Sequence, residues 1–178
     1  LDGKQWLLLS YRVPAEPSSK RVAIWRKIRG LGAIYIQNGV CIVPLTEKHQ
    51  RHLKMIKNEI EQSGGDSLLF VASGMDPTEE AHIVSRFNEE RNEAYRELLS
   101  KCDAYIAEVH REIEEKHFTY AELQENDEKT HKLKQWFEKI RKFDFFGAPL
   151  LAEAEARLLV CEHILEEYAR MVYKTDGA

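Results

Sequence analysis

With 178 residues, 43% of them hydrophobic and 31% charged, the chain is long enough to bury a real core and too polar to be disordered or embedded in a membrane. It contains no apolar run near the roughly 18 residues of a membrane span. The opening Leu1-Asp2-Gly3-Lys4 lacks the layout of a signal peptide, so a cytoplasmic protein without a membrane partner is expected. The formal charge of −4 conceals an asymmetry: residues 1–75 hold 11 Lys/Arg against 6 Asp/Glu, whereas residues 76–178 hold 15 against 24. An anionic partner would therefore meet the first part.

In chain order, Trp6-Leu7-Leu8-Leu9-Ser10-Tyr11 is an apolar run too short for a helix and predicts a strand covered on both faces. Pro14 and Pro17 stop it, and Ser18 or Ser19 can cap a helix carrying Val22, Ile24, Trp25, Ile28 and Leu31 at helical spacing. Ala33 to Gln37 predicts a strand, Asn38-Gly39 a type I′ hairpin turn, and Val40 to Val43 the returning strand. Thr46 to Ser63 is a helix with Leu53, Ile56 and Ile60 on one face, and Ser67 to Ala72 is a fourth strand. The order βαββαβ predicts a ferredoxin-like antiparallel sheet with two helices on one face, its first and third strands central.

From Asp76 the pattern changes to long amphipathic helices, giving domains at 1–75 and 76–178. Asp76, Pro77 and Glu79 open the first helix, with a seam through Val84, Phe87, Tyr95, Leu98, Cys102, Tyr105, Val109 and Ile113. Thr119 and Glu122 open the second, carrying Leu123, Leu133, Trp136, Ile140 and Phe143; a third runs from about Leu150 to Tyr173 along Leu151, Ala154, Leu158, Cys161, Leu165, Tyr168 and Val172. The fold class is thus α+β, a ferredoxin-like sheet followed by a three-helix antiparallel bundle. Phe145-Phe146-Gly147 breaks the second helix, its aromatics plugging the core.

The densest positive patch holds Arg12, Lys20, Arg21, Arg26, Lys27 and Arg29, with Glu16 the lone acid among them. Lys20, Arg26, Lys27 and Arg29 fall outside the apolar face, either as cations for phosphate and other oxyanions or as a solvated helix surface. Arg21 lies about 20° from Ile28 and about 40° from Trp25 on the wheel, inside the apolar sector. There it meets either a small dianion, with Ser18 and Ser19 and the free backbone N–H groups, or an acidic partner from the second part. Arg91 occupies the seam between Phe87 and Tyr95, facing inward with Glu89, Glu90 and Glu93 beside it, or binding an anion.

Chemistry of other kinds finds little support in the residues. His49 and His52 share a helical face without a third ligand and are expected at the surface, so no metal or other cofactor is predicted. Cys41, Cys102 and Cys161 are far apart, form no C-x-x-C pair, and fall on strand and seam positions that suit buried reduced thiols. No nucleophile elbow, zinc-protease motif, P-loop or dinucleotide fingerprint is present, and an enzyme is not expected.

Trp6-Leu-Leu-Leu-Ser-Tyr-Arg-Val-Pro-Ala-Glu-Pro-Ser18, Arg21-Val-Ala-Ile-Trp-Arg-Lys27 and Gly39-Val-Cys-Ile-Val-Pro44 resemble the N-terminal domain of the ChrB family. Phe118-Thr-Tyr-Ala-Glu-Leu-Gln-Glu-Asn126, Asp144-Phe-Phe146, Ala152-Glu-Ala-Glu155 and Val172-Tyr173 extend the likeness along nearly the whole chain. The resemblance implies a chromate-responsive transcriptional regulator, with operator DNA and chromate or a similar oxyanion as partners. Two further readings are a helical dimerisation module without DNA contact, for which a homodimer is expected, and a thiol-dependent chromate-handling enzyme using Cys41. The first half also resembles the ferredoxin-like domain of the small CRISPR-adaptation nuclease subunit and of phenylacetate-type repressors. Where the nuclease-like members hold a metal with an Asp at the end of the first strand, Tyr11-Arg12-Val13 puts a cation that would repel it.

Overall fold

The computed structural model describes residues 3–177. Its elements are β1 (Trp6–Arg12), α1 (Ser18–Arg29), β2 (Ile34–Gln37), β3 (Val40–Pro44), α2 (Glu47–Gln62), β4 (Asp66–Ala72), α3 (Pro77–Glu114), α4 (Tyr120–Arg141) and α5 (Leu151–Asp176). Leu1 and Asp2, half of the opening stretch discussed above, lie outside the described residues. The fold is α+β as the pattern predicts: an antiparallel sheet in the order β2-β3-β1-β4, then long helices. The chain divides into two compact units between Arg86 and Phe87, within α3. No helix among the described residues is long and apolar enough to cross a membrane.

In the sheet unit, β1 is central because it can be buried on both faces. Trp6, Leu7 and Leu9 are all at most 2% exposed, and β1 pairs with β3 at Leu9↔Cys41 and with β4 at Leu9↔Leu69. Ile24 and Ile28 of α1 and Leu53, Ile56 and Ile60 of α2 complete the core. Thr46 caps α2, its hydroxyl accepting from the His49 N–H at 3.0 Å. Contrary to expectation, neither Ser18 nor Ser19 caps α1. Pro17 holds the extended cap position without a side-chain bond, so both hydroxyls sit inside the first turn, past the point from which a cap reaches back.

Two further expectations change. Only Gly39 of the Asn38-Gly39 pair has a positive φ, +71°, so the turn is not type I′, which needs both residues there. A register shift between Tyr35 and Gln37 takes up the difference. His49 is buried, at 8% exposure, rather than on the surface, because it precedes Leu53 by one turn on the buried face. Its Nδ1 lies 2.8 Å from the Pro44 carbonyl oxygen, which satisfies the ring in place of water.

The first turns of α3 belong with the sheet. Asp76 Oδ1 accepts from the N–H groups of Thr78 and Glu79, at 2.8 and 3.0 Å. Glu80 accepts from the Trp6 indole at 2.9 Å and from the Gly74 N–H. Arg86 Nη2 donates to the Tyr35 carbonyl on the edge strand β2, at 2.8 Å.

The helical unit buries Tyr95, Leu98, Cys102, Tyr105 and Val109 of α3 against Leu133, Phe137 and Ile140 of α4 and a stripe of α5. Phe137 takes the buried position expected for Trp136, and Ile164 that expected for Leu165. Apolar steps of three and four drift against a straight helix by about 20° per seven residues, so over a long helix the stripe moves to the adjacent residue. Phe145 and Phe146 pack edge-on against Phe87, with ring centres 6.1 and 5.5 Å away. Asp144 fixes this connection by accepting from the Tyr95 hydroxyl at 2.9 Å and the Ala148 N–H at 2.8 Å.

Between Leu123 and Leu133 the seam of α4 is polar: Asn126 and Thr130 are 0% and 4% exposed. Asn126 Nδ2 donates to Glu112 Oε2 at 2.7 Å, and the Thr130 hydroxyl to the Asn126 carbonyl at 2.9 Å. Burial raises the Glu112 carboxyl above the usual carboxylate range. A carboxyl whose pKa is higher folded than unfolded binds its proton more tightly in the folded state, so its contribution falls as pH rises through that window. Glu112→Gln keeps an acceptor for Asn126 and removes the charge. It should raise the urea midpoint at neutral pH and flatten the loss of stability that follows as pH rises above the ordinary carboxylate range; an unchanged midpoint would contradict a cost of burying this carboxylate.

Candidate functional site

The end of β1, the first turns of α1 and the β2–β3 turn surround an open groove of about 1150 Å³. Its floor follows from the strand register. Leu9, Cys41 and Tyr35 form one cross-strand row; in the next, Tyr11 meets the turn, its N–H donating to the Gly39 carbonyl at 2.7 Å. Gly39 has no side chain to stand in this row, and the hydroxyls of Tyr11 and Tyr35 meet at 2.7 Å. Burial raises both phenols, and at Tyr35 the hydrogen bond with the neighbouring hydroxyl adds to the rise. The floor is a neutral hydrogen-bonding pair.

One wall is a helical stripe. Ser18, Arg21, Val22 and Trp25 line the groove at steps of three and four residues along α1, which share one helix face. Arg12 adds a second guanidinium from the end of β1, and among the described residues no Asp or Glu lines the groove. Val22 and Trp25 are 43% and 50% exposed, so the buried stripe of α1 is narrower than its apolar sector and reduces to Ile24 and Ile28.

Arg21 therefore does not occupy the interior. It is exposed because it sits one turn before Ile24, where the helix overlooks the groove instead of the core. Among the described residues, Arg12, Lys20, Arg21 and Arg26 have no carboxylate oxygen within 4.0 Å. The acidic partner considered for Arg21 is absent from that set.

The remaining candidates divide by position. Arg26 lies about 40° from Val22 on the wheel and borders the groove, with Ser19 about 20° from Arg26, whereas Lys20 lies about 160° from Ser18 on the far flank. Lys27 is engaged by Glu59 of α2 at 2.5 Å. Arg29, one turn beyond Trp25, is partly buried and already has a partner. Arg91 belongs to the helical unit, faces inward at 14% exposure and meets Glu90 at 3.5 Å. Glu89 pairs instead with Arg96, at 3.0 Å. Beside Arg91, Asn92 is buried too, its Oδ1 accepting from the Leu150 N–H at 3.1 Å.

Cys41 is 1% exposed, and burial pushes its thiol up to about 12. At neutral pH it is a protonated thiol inside the sheet, and the thiolate is the form that reacts. Cys102 and Cys161 are fully buried in the helical core. Among the described residues, no three His, Cys, Asp or Glu side chains are grouped to hold a metal ion.

Tyr11, Tyr35, Val22 and Trp25 are the groove residues that the sequence patterns assign to strand or core. The signal that would find the tyrosines is the hairpin register, which puts them on one sheet face either side of a glycine. A family model described as Protein ChrB, N-terminal, matches residues 21–178, taking in the arginine and tryptophan of the α1 wall. No curated protein and no solved structure matches the chain.

Proposed function

This chain belongs to the ChrB N-terminal family, tied to the regulation of chromate resistance, and from that premise we propose a chromate-responsive transcriptional regulator whose sheet unit grips operator DNA. The observation that carries this is the set of cations at the βα corner, Arg12, Lys20, Arg21 and Arg26, left without carboxylates among the described residues. Guanidinium groups not already neutralised can replace counterions on a phosphate backbone, which supplies most of the affinity of DNA-binding proteins. The Ser18 and Ser19 N–H groups in the first turn of α1, where the cap residue makes no side-chain bond, add donors for phosphate oxygens.

A lone oxyanion fits the groove less well than a polyanion. The space is about 1150 Å³ and open, so a single tetrahedral dianion would touch one side of it and stay hydrated on the other. Chromate control of DNA binding then requires two conformations with different affinity for the ion, since a ligand shifts an equilibrium only by that difference.

The test is binding to duplex DNA from upstream of the protein's own gene over a salt series. Replacing Arg12 and Arg21 together by alanine should weaken binding about 10- to 100-fold at low salt and reduce the slope of log K against log salt by about 2, near one per lost phosphate contact. An unchanged slope would move the contact elsewhere. No binding at low salt would leave the interaction module without DNA contact as the better account.

A further inference from the structure

We propose that the groove takes one unpaired strand of nucleic acid, with its phosphates along Arg12 and Arg21 and a base stacked on Trp25. This rests on the reading that the groove meets nucleic acid and goes beyond it by naming the form.

Size separates a strand from a duplex. A volume of 1150 Å³ corresponds to a cube roughly 10 Å on a side, narrower than even the major groove of a duplex at about 12 Å. A duplex would rest across the rim, whereas a few nucleotides of one strand can enter. The chemistry of the wall alternates in the same way as a strand does. Arg21 and Trp25 lie one turn apart, about 6 Å along the helix, so a cation for phosphate is followed by an aromatic face for the attached base. That face is available, since Trp25 is 50% exposed. Stacked bases in a duplex cannot offer their faces to it, and unpaired ones can.

The floor suits base edges. Tyr11 and Tyr35 hydrogen-bond to each other at 2.7 Å, so one hydroxyl hydrogen remains to be given after the other is used. Gln37 and Asn38 at the turn offer amide donors and acceptors that any base edge can use. Charge disfavours a neutral ligand of like size: with two arginines and no acid among the described lining residues, a neutral apolar peptide would leave both guanidinium groups unpaired.

The experiment compares three fluorescently labelled ligands by anisotropy at low salt: a thymidine oligomer of about 12 nucleotides, an abasic strand of the same length and charge, and a duplex of that length. The thymidine strand should bind about 5- to 100-fold more tightly than the abasic one. Trp25→Ala should remove that preference and Trp25→Phe should keep most of it. Equal binding of the thymidine and abasic strands, or an unchanged thymidine affinity in Trp25→Ala, overturns the stacking assignment. If Arg12→Ala with Arg21→Ala still weakens the duplex in that case, the phosphate reading survives alone. Absence of binding to all three ligands overturns both.

Discussion

Trp6→Ala should destabilise the sheet unit by about 3–5 kcal/mol, the usual cost of deleting a buried aromatic side chain. Trp6 is 2% exposed at the start of the central strand, and two losses coincide when it is removed. The first is its buried apolar area together with the cavity left behind. The second is the donor at 2.9 Å to Glu80, which joins the first turns of α3 to β1. Trp6→Phe separates the two, because it retains most of the area and removes the donor. Urea unfolding, with hydrogen exchange at the amides of Leu7 and Leu9 reporting on β1, measures both variants. The alanine variant should exchange far faster and the phenylalanine variant should fall between it and the parent. A cost under about 1 kcal/mol for the alanine variant would contradict the packing described.

The second large effect belongs to a glycine in the groove. Gly39→Ala should cost about 2–5 kcal/mol, while Gly64→Ala should cost only about 1–2 kcal/mol. Both residues have positive φ, +71° and +80°, so both substitutions meet the same left-handed penalty. They differ in what a new methyl would meet. At Gly64 the nearest atom is Pro14 Cγ at 3.8 Å, an ordinary contact, whereas at Gly39 it is the Tyr11 backbone oxygen at 2.5 Å. A backbone atom in a central strand cannot step aside, so β1 must shift and carry Tyr11 and Arg12 with it. On the proposed function, Gly39→Ala should therefore lose DNA affinity as well as stability, and Gly64→Ala stability alone. Equal costs for the two would show that the approach to Tyr11 is easily relieved.

The sheet was legible because its strands announce their environment. The run Trp6-Leu7-Leu8-Leu9 lacks polar alternation because β1 is buried on both faces, and that single fact selects a central strand. Helix starts at Asp76 and Thr119 were legible from side chains able to accept backbone N–H bonds, which both do. The fate of Arg21 was not, since a helical wheel records angle and says nothing of where along its length a helix leaves the core. The Tyr11–Tyr35 pair depends on register, a relation between segments some 24 residues apart in sequence. The polar stretch at Asn126 was hidden for a different reason: a buried amide paired with a buried carboxylate looks, in sequence, like two ordinary surface residues.

The neutral floor of the groove bears on the anion contact proposed for it. Both phenols are held above their ordinary value of 10.0, so at neutral pH neither puts a negative charge beside the two arginines of the lining. On the proposed function the floor therefore does not compete with an anion for the arginines, and added salt is the condition expected to loosen the contact.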